Sequence, residues 1–270
     1  MSSQFVDMND DGFKDILVGS FSGAPQWLEG SEYGYLAPKA VVDKDGEEIL
    51  IKAFWNIPEK KWDDSERSGT DGHCTSSSAI DWDGDGDFDL LLGDYYGGRM
   101  YLRINEGSAK EPAFATTNTP VQAGGQPLVV DGKLAAPCVV DWDEDGILDL
   151  LISTGDGGLY FFRNTGSTTD TRFAEKRMLI APKKSPFAGG EVTTGPLPLA
   201  PDTSFHVQPC DYDGDGDLDL LIGGRSAWMS TREGDEGDLW IPGGVQTLDA
   251  GSVKRSETTT GDFVWLYRRK

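Results

Sequence analysis

One nine-residue pattern, Asp-x-Asp/Asn-x-Asp-Gly-x-x-Asp, occurs four times in the chain and carries side chains that could bind a metal ion. Oxygen-bearing side chains stand at positions 1, 3, 5 and 9 of each copy, and a glycine stands at position 6. Glycine permits a tight turn because it has no Cβ, so the four side chains can gather around one point. Calcium suits such a site better than magnesium, since it accepts about 6–8 oxygens at about 2.3–2.6 Å. The pattern predicts four calcium sites.

The four copies are named loops 1 to 4 and span residues 7–15, 81–89, 141–149 and 211–219. In each loop the predicted ligands are the side chains at positions 1, 3, 5 and 9 and the carbonyl at position 7. These residues are Asp7, Asn9, Asp11, Phe13 and Asp15; Asp81, Asp83, Asp85, Asp87 and Asp89; Asp141, Asp143, Asp145, Ile147 and Asp149; and Asp211, Asp213, Asp215, Asp217 and Asp219. Loop 1 should bind calcium most weakly, because Asn9 lowers its ligand charge.

An EF-hand or dockerin loop begins in the same way, but it requires a Glu or Asp at position 12 and a following helix. Position 12 is apolar in every copy: Val18, Leu92, Ile152 and Ile222. The segments ILVG, LLLG, LLIS and LLIG are continuous apolar runs, typical of strands covered on both faces. A single Asp-Gly cluster could be an ordinary acidic turn, whereas four copies with the same downstream strand indicate a repeat.

A second set of features recurs after each loop and indicates further strands. The segments GGRMYLRINEGS (97–108) and DGGLYFFRNTGS (156–167) align without gaps, and an aromatic residue follows each, Phe114 or Phe173. The counterparts elsewhere are residues 26–28 with Tyr35 in the first repeat, and residues 264–267 in the last. Each repeat therefore reads as strand A before the loop, strand B after it, strand C, and strand D near the aromatic residue. In the second repeat we place strand B at 90–93, strand C at 100–104 and strand D around Phe114.

Repeats of four strands, none able to bury its own faces, are typical of propeller blades. The loops and strands resemble FG-GAP repeats, also called VCBS repeats, which occur in integrin α-chain heads, fungal lectins and many secreted bacterial proteins. The resemblance covers nearly the whole chain and implies a calcium loop between strands A and B of each blade. The expected fold is all-β: a single β-propeller domain over residues 1–270, with repeats at about 1–70, 71–133, 134–203 and 204–270.

The sequence does not decide how the ring closes, because the first repeat begins at strand A and the last stops at strand C. Either four blades close a small ring with help from the insert 225–260, or the chain is a piece of a larger ring. We expect the small ring.

Charge and hydropathy limit the partners. Forty-six acidic residues against 24 basic ones give a net charge of −22, which argues against nucleic-acid or anionic-membrane partners. No apolar run approaches the roughly 20 residues of a membrane span. Loop 1 begins at Asp7 and leaves no room for a signal peptide, so the chain reads as a mature or trimmed form. Since weak calcium loops fill only where calcium is abundant, we expect an extracellular, cell-surface or periplasmic location.

The three cysteines, Cys74, Cys138 and Cys210, precede their loops by different offsets, so a shared metal role is not expected. They are either buried free thiols in strand A or one disulfide with a cysteine left over. The two histidines, His73 and His206, are expected to have structural or surface roles. No catalytic residue is predicted.

A binding or catalytic site could lie on the long connections 52–73, 182–205 and 225–261, because loops on a rigid scaffold often carry such sites. They contain the aromatic and acidic residues Trp55, Trp62, Trp228, Trp240, Glu233, Asp235, Glu236 and Asp238. Exposed tryptophans beside acidic groups would suit sugar stacking, although these residues could also pack between blades. We expect a non-catalytic, adhesive binding module for a protein or polysaccharide. The alternative is a carbohydrate-active lyase or hydrolase with its site on these loops.

Overall fold

The structure is a computed structural model of the chain. It describes residues 3–22, 24–51, 54–56, 61–63, 73–94, 97–132, 134–183, 193–195, 201, 203–230 and 259–268. Every regular element in these ranges is a β-strand, as the sequence predicts. Within the same ranges, no helix exists that could cross a membrane.

Two compact units make up the chain. The first comprises Met1–Thr154 and Leu159–Leu179, and the second comprises Gly155–Gly158 and Ile180–Lys270. The single domain expected over residues 1–270 stays a prediction.

The first blade surrounds loop 1. The strands of this stretch, in chain order, are β1 (Ser3–Val6), β2 (Asp15–Val18), β3 (Ser20–Ser22), β4 (Gln26–Leu28), β5 (Gly30–Ser31), β6 (Gly34–Tyr35) and β7 (Lys39–Ala40). The blade sheet has the order β1-β2-β4-β7, with all neighbours antiparallel. Strands β5 and β6 form a separate hairpin.

The second blade surrounds loop 2. The strands of this stretch are β8 (Phe54–Asn56), β9 (Lys61–Asp63), β10 (His73–Ile80), β11 (Asp89–Gly93), β12 (Met100–Arg103), β13 (Thr119–Pro120), β14 (Gln122–Ala123) and β15 (Gln126–Pro127). The blade sheet has the order β13-β12-β11-β10-β3, so a strand from the first repeat extends it. The pairs β8–β9 and β14–β15 are hairpins outside this sheet.

The third and fourth blades repeat the arrangement. Their strands are β16 (Ala136–Val140), β17 (Asp149–Ser153), β18 (Leu159–Phe162), β19 (Arg177–Ile180), β20 (Thr193–Gly195), β21 (Thr203–Cys210), β22 (Asp219–Ser230) and β23 (Thr259–Tyr267). The third sheet has the order β16-β17-β18-β19. In the fourth, β22 pairs antiparallel with β21 and β23 and parallel with β20. The four small sheets are the blades of a β-propeller, each with its Asp-rich loop between strands A and B, which confirms the predicted fold class.

The apolar runs after loops 2 and 3 are buried on both faces. On β11, Leu90 and Leu92 belong to one core cluster with Leu17 of the first blade. Leu91, which points the other way, belongs to a second cluster with Leu150 of the third blade. Successive side chains on a strand face opposite sides, so a strand between two blades needs apolar residues at every position. Burial of each such leucine contributes roughly 1.5–3 kcal/mol.

The predicted position of strand D was wrong. Strand D of the second blade lies at Thr119–Pro120, and Phe114 forms single bridges to Asn105 and Asp43 instead. Phe173 forms the corresponding bridges in the third blade, where strand D is Arg177–Ile180. Strand D of the first blade is Lys39–Ala40, whereas Tyr35 lies in the β5–β6 hairpin. An aromatic residue signals burial, and these phenylalanines are buried without belonging to a strand ladder.

Candidate metal centres

Each Asp-rich loop closes as a tight turn around its position 6 glycine. The φ angles of Gly12, Gly86, Gly146 and Gly216 are 93, 95, 86 and 97°, which favours glycine. The N–H of each glycine donates to Oδ2 of the position 1 aspartate, at 2.9 Å to Asp7, 3.2 Å to Asp81, 2.9 Å to Asp141 and 3.2 Å to Asp211. The carboxylate at position 1 is thereby fixed over the turn.

The carboxylate at position 5 accepts a hydrogen bond from the backbone N–H two residues later. The position 7 N–H donates to its Oδ1 in every loop: Phe13 to Asp11 at 2.9 Å, and Asp87 to Asp85, Ile147 to Asp145 and Asp217 to Asp215 at 3.0 Å each. The other oxygen, Oδ2, accepts Asn9 Nδ2 at 3.2 Å in loop 1 and Arg163 Nη2 at 3.0 Å in loop 3.

The position 9 aspartate is buried in every loop. Asp15, Asp89, Asp149 and Asp219 are at most 1% exposed. Oδ2 of each accepts the position 2 N–H, from Met8 at 2.9 Å, Trp82 at 2.9 Å, Trp142 at 3.1 Å and Tyr212 at 3.3 Å. In the first three blades Oδ1 accepts an N–H just beyond strand C, from Gly30, Asn105 or Asn164. This residue therefore braces the loop against the sheet as well as being a candidate ligand.

Three of the four loops gather carboxylates closely enough to share one ion. The groups are Asp81, Asp83 and Asp85 in loop 2; Asp141, Asp143 and Asp149 in loop 3; and Asp211, Asp213 and Asp215 in loop 4. Within each group, one oxygen of every carboxylate lies within 4.8 Å of the others. Loop 1, where Asn9 replaces an aspartate, is not among the acidic groups found in the described ranges.

Several loop oxygens are enclosed by protein and lack a hydrogen-bond partner. They are Asn9 Oδ1 in loop 1, Asp87 Oδ1 in loop 2 and Asp143 Oδ1 in loop 3. A buried oxygen without a partner costs free energy, roughly 1–3 kcal/mol, unless a donor or a cation meets it. All of the ligating groups offered are hard oxygens, so the donor set fits calcium.

Burial raises the pKa of three loop carboxylates, Asp87, Asp89 and Asp149. It raises the pKa of Asp89 to about 7, against the hydrogen bonds from Asn105 and Trp82, which lower it. It also raises the pKa of Asp87, and the negative charges of Asp85 and Asp83 raise it further. Crowded carboxylates disfavour one another's charge, and a bound divalent cation would offset this repulsion.

Position 4 of each loop is left-handed, a feature that the sequence analysis missed. Gly84 and Gly214 have φ values of 77 and 76°, and the non-glycine residues Asp10 and Glu144 have 50 and 62°. The signal that could have revealed it was glycine at position 4 in two of the four copies, which favours a positive φ.

Two arginines contact loop carboxylates, which the sequence analysis also missed. Arg163 Nε lies 2.5 Å from Asp143 Oδ2, and its Nη2 lies 3.0 Å from Asp145 Oδ2. In the second unit, Arg268 Nη1 lies 3.2 Å from Asp213 Oδ2. A positive charge thus reaches the position 3 aspartate of loops 3 and 4.

Of the cysteines and histidines, for which no metal or catalytic role is expected, the structure describes the side chains of Cys138, Cys210 and His206. Cys138 and Cys210 are free thiols, and burial raises the pKa of Cys138 to about 12. Burial lowers the pKa of His206 to about 4, so this imidazole is neutral at pH 7. The remaining residues lie, wholly or in their side chains, outside what is described: Trp55, Trp62, His73, Cys74, Trp228, Glu233, Asp235, Glu236, Asp238 and Trp240.

Part of the chain matches a known family of repeats. Residues 141–222 match the family described as FG-GAP-like repeat. A search of curated protein sequences gave no match.

Solved structures that are similar to this chain include the following two. One is the Tc holotoxin pore of Photorhabdus luminescens, at 18% identity and a TM-score of 0.41, over 82% of this chain and 8% of that one. The other is a lectin from Agrocybe aegerita that recognises non-reducing terminal N-acetylglucosamine, at 15% identity and a TM-score of 0.40, over 83% of this chain and 48% of the lectin. The present chain spans less than half the length of either. The match to the FG-GAP-like repeat family confirms the sequence-based recognition of FG-GAP repeats over residues 141–222, which include loops 3 and 4 in an all-β chain of the β-propeller class.

Proposed function

We propose that this chain is a calcium-stabilised β-propeller that works as an extracytoplasmic interaction module. The observation that carries the calcium proposal is the set of convergent carboxylates in loops 2, 3 and 4. In each loop the side chains at positions 1, 3, 5 and 9 and the carbonyl at position 7 would hold the ion. The ion would supply charge neutralisation, because three or four carboxylates within a few ångströms repel one another.

The interaction role rests on the repeat scaffold and on its surface. Blades with buried strands form a rigid support, and exposed groups on such a support are free to contact a partner. Hairpin β5–β6 and the residue after it expose Tyr33, Tyr35 and Leu36, with Tyr33 91% exposed. Tyrosine rings combine an apolar face with a hydroxyl, so they suit a protein or a polysaccharide surface. The acidic net charge argues against polyanions as the preferred partner.

Metal analysis tests the calcium proposal directly. Protein dialysed against calcium buffer and then freed of unbound metal should contain close to four calcium ions per chain. One ion or none would overturn the proposal. Titration should place loop 1 among the weaker sites, because Asn9 contributes no charge.

Partner binding tests the interaction proposal. A glycan array and a panel of extracellular proteins would be probed with the calcium-loaded chain, and again with excess chelator. Binding that depends on calcium and falls at least several-fold in Tyr33→Ala, but not in Met178→Ala, would support the surface named above. Met178 is the matched control because it is also exposed, on β19. Depolymerisation of a glycan by purified protein would contradict a purely binding role.

A further inference from the structure

The strand registers place Arg163 and Arg268 at one equivalent position in the third and fourth blades. The first leucine of strand B pairs with a strand C residue: Leu150 with Phe162, and Leu220 with Tyr267. Arg163 and Arg268 each follow that strand C residue directly. Each arginine reaches the loop of its own blade.

In the first two blades the equivalent position carries a side chain that is not basic. Leu90 pairs with Arg103, so Ile104 is the equivalent residue in the second blade, and it is apolar. Ile16 pairs with Leu28, so Glu29 is the equivalent residue in the first blade. The residue directly after the paired strand C residue is therefore negative in the first blade, neutral in the second, and positive in the third and fourth.

Both arginines contact position 3 of the loop through a carboxylate oxygen. Arg163 bridges Asp143 and Asp145 with two nitrogens, and Asp143 keeps its second oxygen, Oδ1, without a partner. Arg268 contacts Asp213 with one nitrogen. A carboxylate oxygen that accepts a guanidinium has less negative charge to offer calcium, and the bound ion would lie within a few ångströms of a positive group.

We propose that Arg163 and Arg268 are built-in counter-ions of loops 3 and 4. They hold the crowded carboxylates together when calcium is absent, and they weaken calcium binding to the same loops. Loops 3 and 4 then respond to calcium only at higher concentrations than arginine-free loops of the same ligand charge. This inference rests on the calcium proposal above.

The expected size of the effect is modest, because both arginine side chains are about half exposed. Exposed ion pairs are weak and are screened by salt, and so is the repulsion between a guanidinium and a bound ion. Replacing one arginine by a neutral residue should therefore tighten calcium binding at one site by roughly three- to tenfold at low ionic strength.

The test compares Arg163→Gln, Arg268→Gln and the double variant with the wild type. Glutamine removes the charge and keeps hydrogen-bonding groups. Arg172→Gln is the matched control, because Arg172 lies in the third blade and pairs with Asp170 outside the loop. Calcium affinities would be measured by competition with a chromophoric chelator, and melting temperatures would be measured in excess chelator and in saturating calcium.

Each single variant should tighten one calcium site, and the double variant should tighten two. In excess chelator each should melt below the wild type, and in saturating calcium this loss should vanish. Arg163→Lys, which keeps the charge, should keep the wild-type affinity, and Arg172→Gln should change neither readout.

Two results would overturn the inference while leaving the calcium proposal intact. One is an unchanged affinity in Arg163→Gln and Arg268→Gln while the wild type binds calcium. The other is an equal fall in melting temperature with and without calcium, which is the behaviour of a merely structural ion pair. Wild-type protein that binds no calcium would overturn both proposals. Because Arg268 belongs to a different unit from Arg163, a folding failure in one variant leaves the other test in place.

Discussion

The backbone N–H of Asn164 donates a 2.7 Å hydrogen bond to Oδ1 of Asp149, which ties the second residue after strand C to the last residue of loop 3. Asn164 also binds the turn that follows it, since its Oδ1 accepts the N–H groups of Gly166 and Arg172. Asp149 accepts a second N–H, from Trp142, on its other oxygen. One buried carboxylate therefore connects the loop, the sheet and the next turn.

Asp149 should matter for stability even without metal. Asp149→Asn replaces one acceptor oxygen by an NH₂ group that faces an N–H donor. The free energy of unfolding in excess chelator should fall by roughly 1–3 kcal/mol, the cost of leaving a buried group unsatisfied. Asp143→Asn is the control, because it changes a half-buried candidate ligand without touching the brace. Asp143→Asn should lower the free energy of unfolding more in calcium than in excess chelator. Denaturant titrations of both variants in calcium and in excess chelator would measure this. Equal losses in chelator would contradict the bracing role.

Calcium removal should lower the melting temperature markedly. An ion that binds only the folded state stabilises it by about 2.7 kcal/mol per site at a hundredfold excess over its Kd. The carboxylates left behind in loops 2, 3 and 4 repel one another. Melting curves would be recorded in calcium, in magnesium and in excess chelator. Identical curves in all three would mean that the loops are ordinary acidic turns.

A pair of glycines at loop position 4 separates backbone strain from a steric contact. Gly84 and Gly214 have nearly the same φ, 77 and 76°, so alanine at either should lose roughly 1–2 kcal/mol. A Cβ on Gly84 would also lie 2.3 Å from Thr169 Cγ2 and 3.0 Å from the carbonyl oxygen of Thr168, whereas one on Gly214 meets open space. Gly84→Ala should therefore cost more than Gly214→Ala in a melting experiment. Equal losses would show that the threonine turn moves aside freely.

His206 should make stability depend on pH. Burial lowers its pKa to about 4, whereas an unfolded histidine titrates near 6.5. The unfolded chain takes up the proton first, so this contribution is fully present above about pH 6.5 and is lost as the pH falls towards 4. Between pH 7.5 and 5 the loss should be on the order of 2 kcal/mol.

The His206→Gln variant removes this titration. Its melting temperature in excess chelator should fall less than that of the wild type between pH 7.5 and 5, because the side chain at position 206 then takes up no proton. Parallel pH dependences for the two proteins would contradict a buried neutral imidazole.

Features set by neighbouring residues could be predicted from the sequence. The glycine at position 6 adopts the expected positive φ in all four loops. Strands B and C of the second blade were predicted at 90–93 and 100–104, and they lie at Asp89–Gly93 and Met100–Arg103. These elements follow local rules, since turn chemistry and continuous apolar runs are legible within about ten residues.

Features set by pairing between distant residues could not be predicted. The burial of Phe114 is visible in the sequence, but its bridge to Asp43 depends on how two blades meet. The contact between Arg163 and Asp143 depends on the register of β17 against β18, which no sequence spacing reveals. The brace at position 9 has in part the same origin, because in the first three blades one of its two donors lies just beyond strand C. Metal binding itself stays a prediction.

The bridges at Phe114 and Phe173 make the boundaries of the sequence repeats poor places to cut the chain. The carbonyl of Phe114 accepts the N–H of Lys44, and the carbonyl of Phe173 accepts the N–H of Gly124, so each donor lies one repeat before its acceptor. A blade excised or exchanged at residue 133 would therefore carry Gly124 away from Phe173 and leave both groups unpaired. The transferable module in this chain is instead offset from the sequence repeat. It begins at the turn before the blade, which holds the donor N–H, and it ends before the equivalent turn that donates to the next blade.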